Sequence, residues 1–194
     1  MRLNEQIYSV LIVSASEQIN RALSEIFPIS AYSPVNFVSN ISAAKRAVSE
    51  RNFDIIVVNS PLRDDVGIRF SVDLADSGNS IVLFLAKAEQ YNDIYEELIR
   101  QGVFLLQKPV SKSILAISSD WLVSAREMIR KNEKKALSIE EKMKEIRLVN
   151  RAKWLLISEL KMTEPDAHRY IEKQAMDRCV SRLRIAEDII QTYG

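Results

Sequence analysis

Hydrophobic positions along this chain follow two different rhythms. Through residues 8–122, short continuous apolar runs alternate with segments whose apolar residues recur every three or four positions. Residues 8–13, rich in β-branched side chains, predict a strand buried on both faces. Ser14 and Ser16 follow as candidate helix caps, and Ile19, Leu23, Ile26 and Phe27 then recur at helical spacing. The same alternation predicts strands at 35–38, 54–58, 80–85 and 103–106. It predicts helices at 39–51, 64–76, 89–100 and from about 111, the one over 64–76 being the weakest. In this reading Asp64 and Asp65 are solvated acids in the first turn of a helix. Five continuous apolar strands alternating with five helices specify an open parallel α/β sheet covered on both faces. Ligands of such sheets bind at the carboxyl ends of the strands. The tips that matter are therefore Ser14-Ala15, Asn59-Ser60, Ala86-Lys87 and Lys108-Pro109.

The second rhythm starts near residue 111, after which no proline or glycine interrupts the chain until about 160. One long helix is predicted, with Ser138 as the place for a break. Ala125, Met128, Asn132, Ala136, Ile139, Met143, Ile146, Asn150 and Lys153 step by three or four, a heptad-like seam with one irregularity at Asn132–Ala136. Asn132 and Asn150 on the seam would set register and a two-stranded state at some cost in stability. The alternative is a single amphipathic helix packed on its own domain.

Three helical segments close the chain. The first runs on through Val149, Ala152, Leu155, Leu156 and Leu160. Thr163 caps the second, with Pro165 tolerated in the first turn and Asp166 as a further first-turn or capping acid. Its apolar stripe is Ala167, Tyr170, Ile171 and Ala175, and the spacing places Trp154 and Tyr170 in the core. A third helix from about 180 turns Leu183, Ala186, Ile189 and Ile190 inward.

Charge sharpens the division. The net charge is +1, yet residues 126–153 hold 10 Lys/Arg against 5 Asp/Glu. Lys131, Lys134, Lys135, Lys142, Lys144 and Arg147 line the polar side of the long helix, where such a run serves either as a solvated face or toward an anionic partner. Several function classes are excluded by composition. Four glycines leave no room for a phosphate-cradling loop, and His168, the single histidine, builds neither a metal cluster nor a serine triad. Cys179 is the only cysteine, which with the absence of an apolar run of about 18 residues predicts a reduced, cytoplasmic protein with no membrane span. The opening residues 1–5 lack the pattern of a secretory signal. No enzyme activity, cofactor or metal is expected.

Residues 8–122 resemble a response-regulator receiver domain of flavodoxin-like fold, most directly through Lys108-Pro109 after the fifth strand. Receivers place an acidic pair for Mg²⁺ after strand one, where this chain has Ser14 and Ala15. The phospho-accepting Asp at the end of strand three is matched by Asn59, the Thr or Ser after strand four by Ala86, and the aromatic position of strand five by Leu105; only Lys108 keeps the family residue. An amide is no nucleophile, and without carboxylates a hard cation has few ligands. The resemblance is therefore to a pseudo-receiver, with Asn59, Ser14, Ala15, Ala86 and Lys108 forming a degenerate phosphorylation site.

Residues 136–194 resemble the ANTAR family of RNA-binding antitermination regulators. The likeness lies in Ala152-Lys153, Leu155-Leu156-Ile157, Ala167, Ala175-Met176 and the closing Leu183, Ala186, Ile189 and Ile190. Trp154 stands where the family often has Gly, and Ile157 where it often has Met. The resemblance implies a homodimer that holds paired stem-loops in a nascent leader transcript against a competing terminator. Lys153, Arg151, Arg169, Lys173 and Arg178 are the RNA-binding candidates: Lys153, on or beside the apolar seam, suits a directed role as well as an incidental one, and each of the other four taken singly suits a solvated surface better. The expected architecture is a pseudo-receiver over 1–122, a coiled-coil linker helix over 123–150 and, overlapping it, an ANTAR-like three-helix domain over 136–194. Two other functions fit the same residues. One is a dimerisation module that docks a sensor or inhibitor protein without RNA. The other is a phosphorylation-driven DNA-binding regulator, against which Asn59 argues.

Overall fold

The computed structural model describes residues 7–194; the opening segment read above for a secretory signal lies outside them. The chain forms two compact units, one up to Arg130 and one over Lys131–Gly194.

The first unit is a five-stranded parallel sheet. Its strands are β1 (Tyr8–Val13), β2 (Tyr32–Val38), β3 (Ile55–Asn59), β4 (Ile81–Ala86) and β5 (Phe104–Gln107), in the order β2-β1-β3-β4-β5. Helices α1 (Glu17–Ile26), α2 (Ile41–Glu50), α3 (Ile68–Asp76) and α4 (Ala88–Arg100) alternate with them, and α5 (Lys112–Leu160) follows β5. This is the flavodoxin-like architecture expected of the sequence. Strands β1, β3 and β4 are buried at every position, which is why their sequences are continuous apolar runs. Alternate residues feed two cores. Leu11, Ile56, Val58, Val82 and Phe84 pack on one face, and Val10, Ile12, Val57, Leu83 and Leu85 on the other. Each fully buried large side chain contributes about 1.5–3 kcal/mol. Strand β1 lies between β2 and β3, so the winding of the sheet reverses there. The crevice of a doubly wound sheet opens at that reversal, at the carboxyl ends that lead into Ser14 and Asn59.

Local capping matches expectation at α1, where the Ser16 hydroxyl accepts from the Ile19 amide. It differs at the third helix, which starts at Ile68 and not at residue 64. Residues 64–67 are a loop, in which Asp65 accepts from the Gly67 amide at 2.6 Å and Gly67 takes φ 87°. Asp64 does not serve its own helix. Its carboxylate accepts from the amides of Ile41 and Ser42, both at 3.0 Å, and so caps α2. A carboxylate satisfies free amides wherever the fold brings them, and these lie more than twenty residues away in the chain.

Helix α5 is continuous through Ser138. Its seam leaves Met128, Ile139, Met143 and Ile146 at 46–64% exposure. The second unit comprises the end of α5 together with α6 (Glu164–Asp177) and α7 (Arg182–Tyr193). Thr163 caps α6 by accepting from the Asp166 amide, and its hydroxyl also donates to the Asp166 carboxylate at 2.6 Å. The core is made of Ala152, Leu156, Ala167, Ile171, Ala175, Ile185, Ala186 and Ile189. Two expectations fail here. Tyr170 is 38% and Trp154 70% exposed, so neither is core. In α7, Ile185 is buried in place of Leu183, which is half-exposed. The rings are excluded because the buried stripe is made largely of small residues, alanines at 152, 167, 175 and 186, and is too narrow to hold a large ring at its edge.

Candidate functional site

Each unit carries one candidate site. In the first, parallel register brings the carboxyl ends of the strands together. Val13 is level with Val58, Asn59 with Leu85, and Ala86 with Gln107. Ser14, Asn59 and Ala86 are buried at this edge, while Ala15 is exposed. Ser14 and Asn59 form a hydrogen-bonded chain of neutral groups ending on one cation. The Asn59 amide donates to the Ser14 hydroxyl at 3.0 Å, and Ser14 also accepts from the Ser16 amide at 3.2 Å. The Lys108 ammonium donates to Asn59 Oδ1 at 2.9 Å and to the carbonyl oxygen of Ser60. Burial and the neighbouring Lys87 hold Lys108 below the usual lysine range.

This arrangement does not fit Mg²⁺. That ion needs hard oxygen ligands, usually including carboxylates. The Ser14 hydroxyl and the Asn59 oxygen are neutral, and the latter is already faced by an ammonium. Among the described residues no group of three or more His, Cys, Asp or Glu is placed to hold a metal.

At the opposite edge of the sheet lies an arrangement that the sequence reading missed. Asp54 Oδ2 accepts from the Ser9 amide and hydroxyl, both at 2.9 Å, and Asp54 Oδ1 accepts from Arg126 Nε at 3.0 Å. Burial alone would raise the Asp54 pKa, but the bonds from Ser9 and Arg126 together hold it below the usual carboxylate range. Beside it the Tyr8 hydroxyl donates to Glu127 at 2.7 Å, and Glu127 pairs with Arg130 at 3.3 Å. The starts of β1 and β3 are thus fastened to α5 where it crosses the sheet edge. Nothing in local sequence marks these partners, which are 72 and 119 residues apart.

The second candidate site is the surface of the helical unit. Arg151, Arg169 and Lys173 are exposed. Lys153 is only 17% exposed and pairs with Glu164 at 3.0 Å, which ties α5 to the first turn of α6. Arg178, just past α6, pairs with Asp188 of α7 at 2.9 Å. Two of the five candidate cations are therefore also struts of the fold, a role that the sequence did not indicate because their partners lie on other helices. Exposed Trp154 shares an open recess of about 340 Å³ with Asn150, Lys153, Ile157 and Glu164. The basic residues 131, 134, 135, 142, 144 and 147 are all exposed.

Comparison with known proteins agrees with both halves. Residues 138–190 match the ANTAR domain family. The chain is 30% identical over 188 residues to the transcriptional regulatory protein PdtaR of Mycobacterium tuberculosis, covering 95% of this chain and 90% of that protein. It belongs to the ANTAR-domain response regulators. The fold of the first unit is shared with solved receiver domains at low identity. One is the receiver domain of an HD domain-containing protein from Pseudomonas fluorescens, with TM-score 0.57, 15% identity, and coverage of 68% of this chain and 96% of that one. Another is the chemotaxis response regulator CheY4 of Vibrio cholerae, with TM-score 0.52, 19% identity, and coverage of 60% and 99%. In this regulator six of the positions on which the ANTAR resemblance rests, Ala152, Leu156, Ala167, Ala175, Ala186 and Ile189, are buried in the core of the helical unit. No helix among its described residues is long and apolar enough to cross a membrane.

Proposed function

We propose that this regulator acts in transcription antitermination, binding stem-loops of nascent leader RNA as a homodimer, with a receiver that takes its input without phosphorylation. The observation that carries the RNA reading is the division of the helical unit. Its apolar stripe is closed into a small core, while Arg151, Arg169 and Lys173 stay exposed and α5 carries further exposed basic residues between 131 and 147. Hairpin loops present unstacked bases and dense phosphate, which basic and aromatic side chains bind. The exposed ring of Trp154 suits base stacking. Lys153 and Arg178 have partners in the fold, so they serve the RNA surface by shaping it as well as by charge.

The exposed seam of Met128, Ile139, Met143 and Ile146 supports pairing with a second copy. Non-phosphorylatable input rests on Asn59, whose amide lies between Ser14 and Lys108. A regulator so built takes its signal from a bound ligand or partner in the cytoplasm. The exposed seam equally supports a second reading, a module that docks a sensor or inhibitor protein and binds no RNA.

The test is recovery of leader RNA by the purified full chain, with Arg169→Ala/Lys173→Ala as the variant. Both residues are exposed, so the variant keeps its fold. Enrichment of transcripts with paired stem-loops ahead of a terminator, lost in the variant, is expected. Each phosphate contact removed lowers the slope of log affinity against log salt by about 0.7. No RNA above background from a folded, dimeric wild type gives the second reading its place. Incubation with acetyl phosphate and Mg²⁺ is expected to leave no aspartyl phosphate on the protein.

A further inference from the structure

Within the helical unit, α5 carries a stripe of side chains that the core does not use. Lys144, Arg147, Arg151 and Trp154 follow one another at intervals of three or four residues, which puts them on one face of the helix, and all four are exposed. Three cations therefore lead along the helix to one open ring. At 70% exposure that ring contributes little to packing. The ANTAR resemblance puts glycine at this position, so the indole is particular to this chain.

Trp154 is one wall of the open recess of about 340 Å³ that it shares with Asn150, Lys153, Ile157 and Glu164. Asn150 comes four residues before the ring and Ile157 three after it, so both are its neighbours on the helix surface. Ile157 is half-buried and gives the recess an apolar side. The exposed Asn150 side chain has no hydrogen-bond partner among the described residues, so its amide remains open to a ligand. The Lys153–Glu164 pair holds the first turn of α6 against α5 and so fixes the wall that α6 contributes.

These groups suit one flat, hydrogen-bonding ring attached to a phosphate chain. Any base stacks on an aromatic face, and the two-ring indole is covered best by a two-ring purine. A side-chain amide sets a donor beside an acceptor, which matches N7 and the N6 amine of adenine or O6 and the N1–H of guanine. The Glu164 carboxylate accepts from an exocyclic amine, which both purines carry and uracil lacks. We infer that the recess takes a single unstacked purine from the loop of a bound hairpin, stacked on Trp154, with its edge read by Asn150 and its flanking phosphates met by Arg151 and Arg147. This rests on the RNA-binding reading and deepens it, by naming the base class that the regulator reads and the residues that read it.

The experiment uses the full chain with Trp121→Phe, which leaves Trp154 as the sole tryptophan; Trp121 is itself exposed, so the fold is kept. The probe is the stem-loop pair transcribed from a recovered leader, with each loop purine replaced in turn by an abasic nucleotide, by uridine or by the other purine. Saturable quenching of Trp154 fluorescence is expected. At one loop position the abasic replacement, which keeps every phosphate, should abolish the quenching and weaken binding about five- to 150-fold. Trp154→Ala puts the best helix former at an exposed position and so folds; it should weaken binding by a similar factor, and the two losses should not add. Asn150→Ala should narrow the preference between adenine and guanine at that position about tenfold. A preference for either purine supports the site and says which base it reads. Uridine bound as tightly as a purine overturns it. So does RNA bound without quenching, or additive losses, and in both cases RNA binding itself stands. Quenching that follows protein concentration without RNA gives the recess to a second copy and overturns the base site. If no leader RNA is recovered at all, the RNA-binding reading fails and the base site with it.

Discussion

Replacing Asp54 tests whether the amino edge of the sheet is fastened to α5 as the geometry indicates. Its carboxylate takes two bonds from Ser9 and one from Arg126, and the two charged side chains are 26% and 12% exposed. Breaking a buried ion pair by removing one partner costs about 3–5 kcal/mol, and a single hydrogen bond to a charged group contributes about 1.5–3 kcal/mol. Solvent reaches a quarter of Asp54, so Asp54→Ala is expected to cost about 2–4 kcal/mol. Asp54→Asn keeps the shape and one acceptor and should cost about 1–2 kcal/mol. Urea unfolding of the full chain in a Trp154→Phe background reads this directly, because Trp121 on α5 is then the sole tryptophan. A double-mutant cycle with Arg126→Met separates the pair from the Ser9 bonds. Because folding depresses the Asp54 pKa, its contribution is present above the ordinary carboxylate range and lost as pH falls through the folded pKa. The gap between wild type and Asp54→Asn should therefore close in acid. If both variants stay within about 0.5 kcal/mol of wild type, or the gap is the same at pH 3 and pH 7, the fastening contributes nothing and the reasoning is refuted.

Three further outcomes follow from the same geometry. Burial, and then the bond to Glu127, push the Tyr8 hydroxyl up to about 12, so its contribution is whole below pH 10 and lost as pH rises toward 12. Tyr8→Phe should cost about 1 kcal/mol at neutral pH and nothing above pH 12, as read by denaturation across that range. Leu156 is fully buried in the small helical core, so Leu156→Ala should cost that unit about 2–5 kcal/mol, seen as early loss of helical circular dichroism together with loss of RNA recovery. At Gly67, with φ 87°, an added Cβ would lie 3.0 Å from Val58 Cγ1, whereas at Gly78, with φ 70°, it meets nothing within 4 Å. Gly67→Ala should therefore destabilise by about 2–3 kcal/mol and Gly78→Ala by about 1 kcal/mol, and equal melting temperatures for the two would contradict the packing argument.

Sequence alone determined the order of elements in this regulator and the chemistry missing from its receiver edge. Short continuous apolar runs marked β1, β3 and β4, the strands covered on both faces, and a strand that ends in Asn59 or Ala86 has no carboxylate or hydroxyl to offer whatever surrounds it. Residue identity settles such questions, and periodicity, a short-range property, settles the helices. Tertiary structure decided which groups meet. Asp54 opens its strand with nothing nearby in sequence to name Arg126 as its partner, and Asp64 seemed a first-turn acid until the free amides of α2 claimed it. Lys153 read as a seam residue and an RNA-binding candidate, and only the turn before α6 delivers Glu164 to it. Trp154 and Tyr170 obey the helical period yet stand outside the core, because close-packed alanines leave the buried stripe no width for a ring. Charges pair and rings are buried according to distances in space, and these depend on how distant segments pack, which no local window of sequence contains.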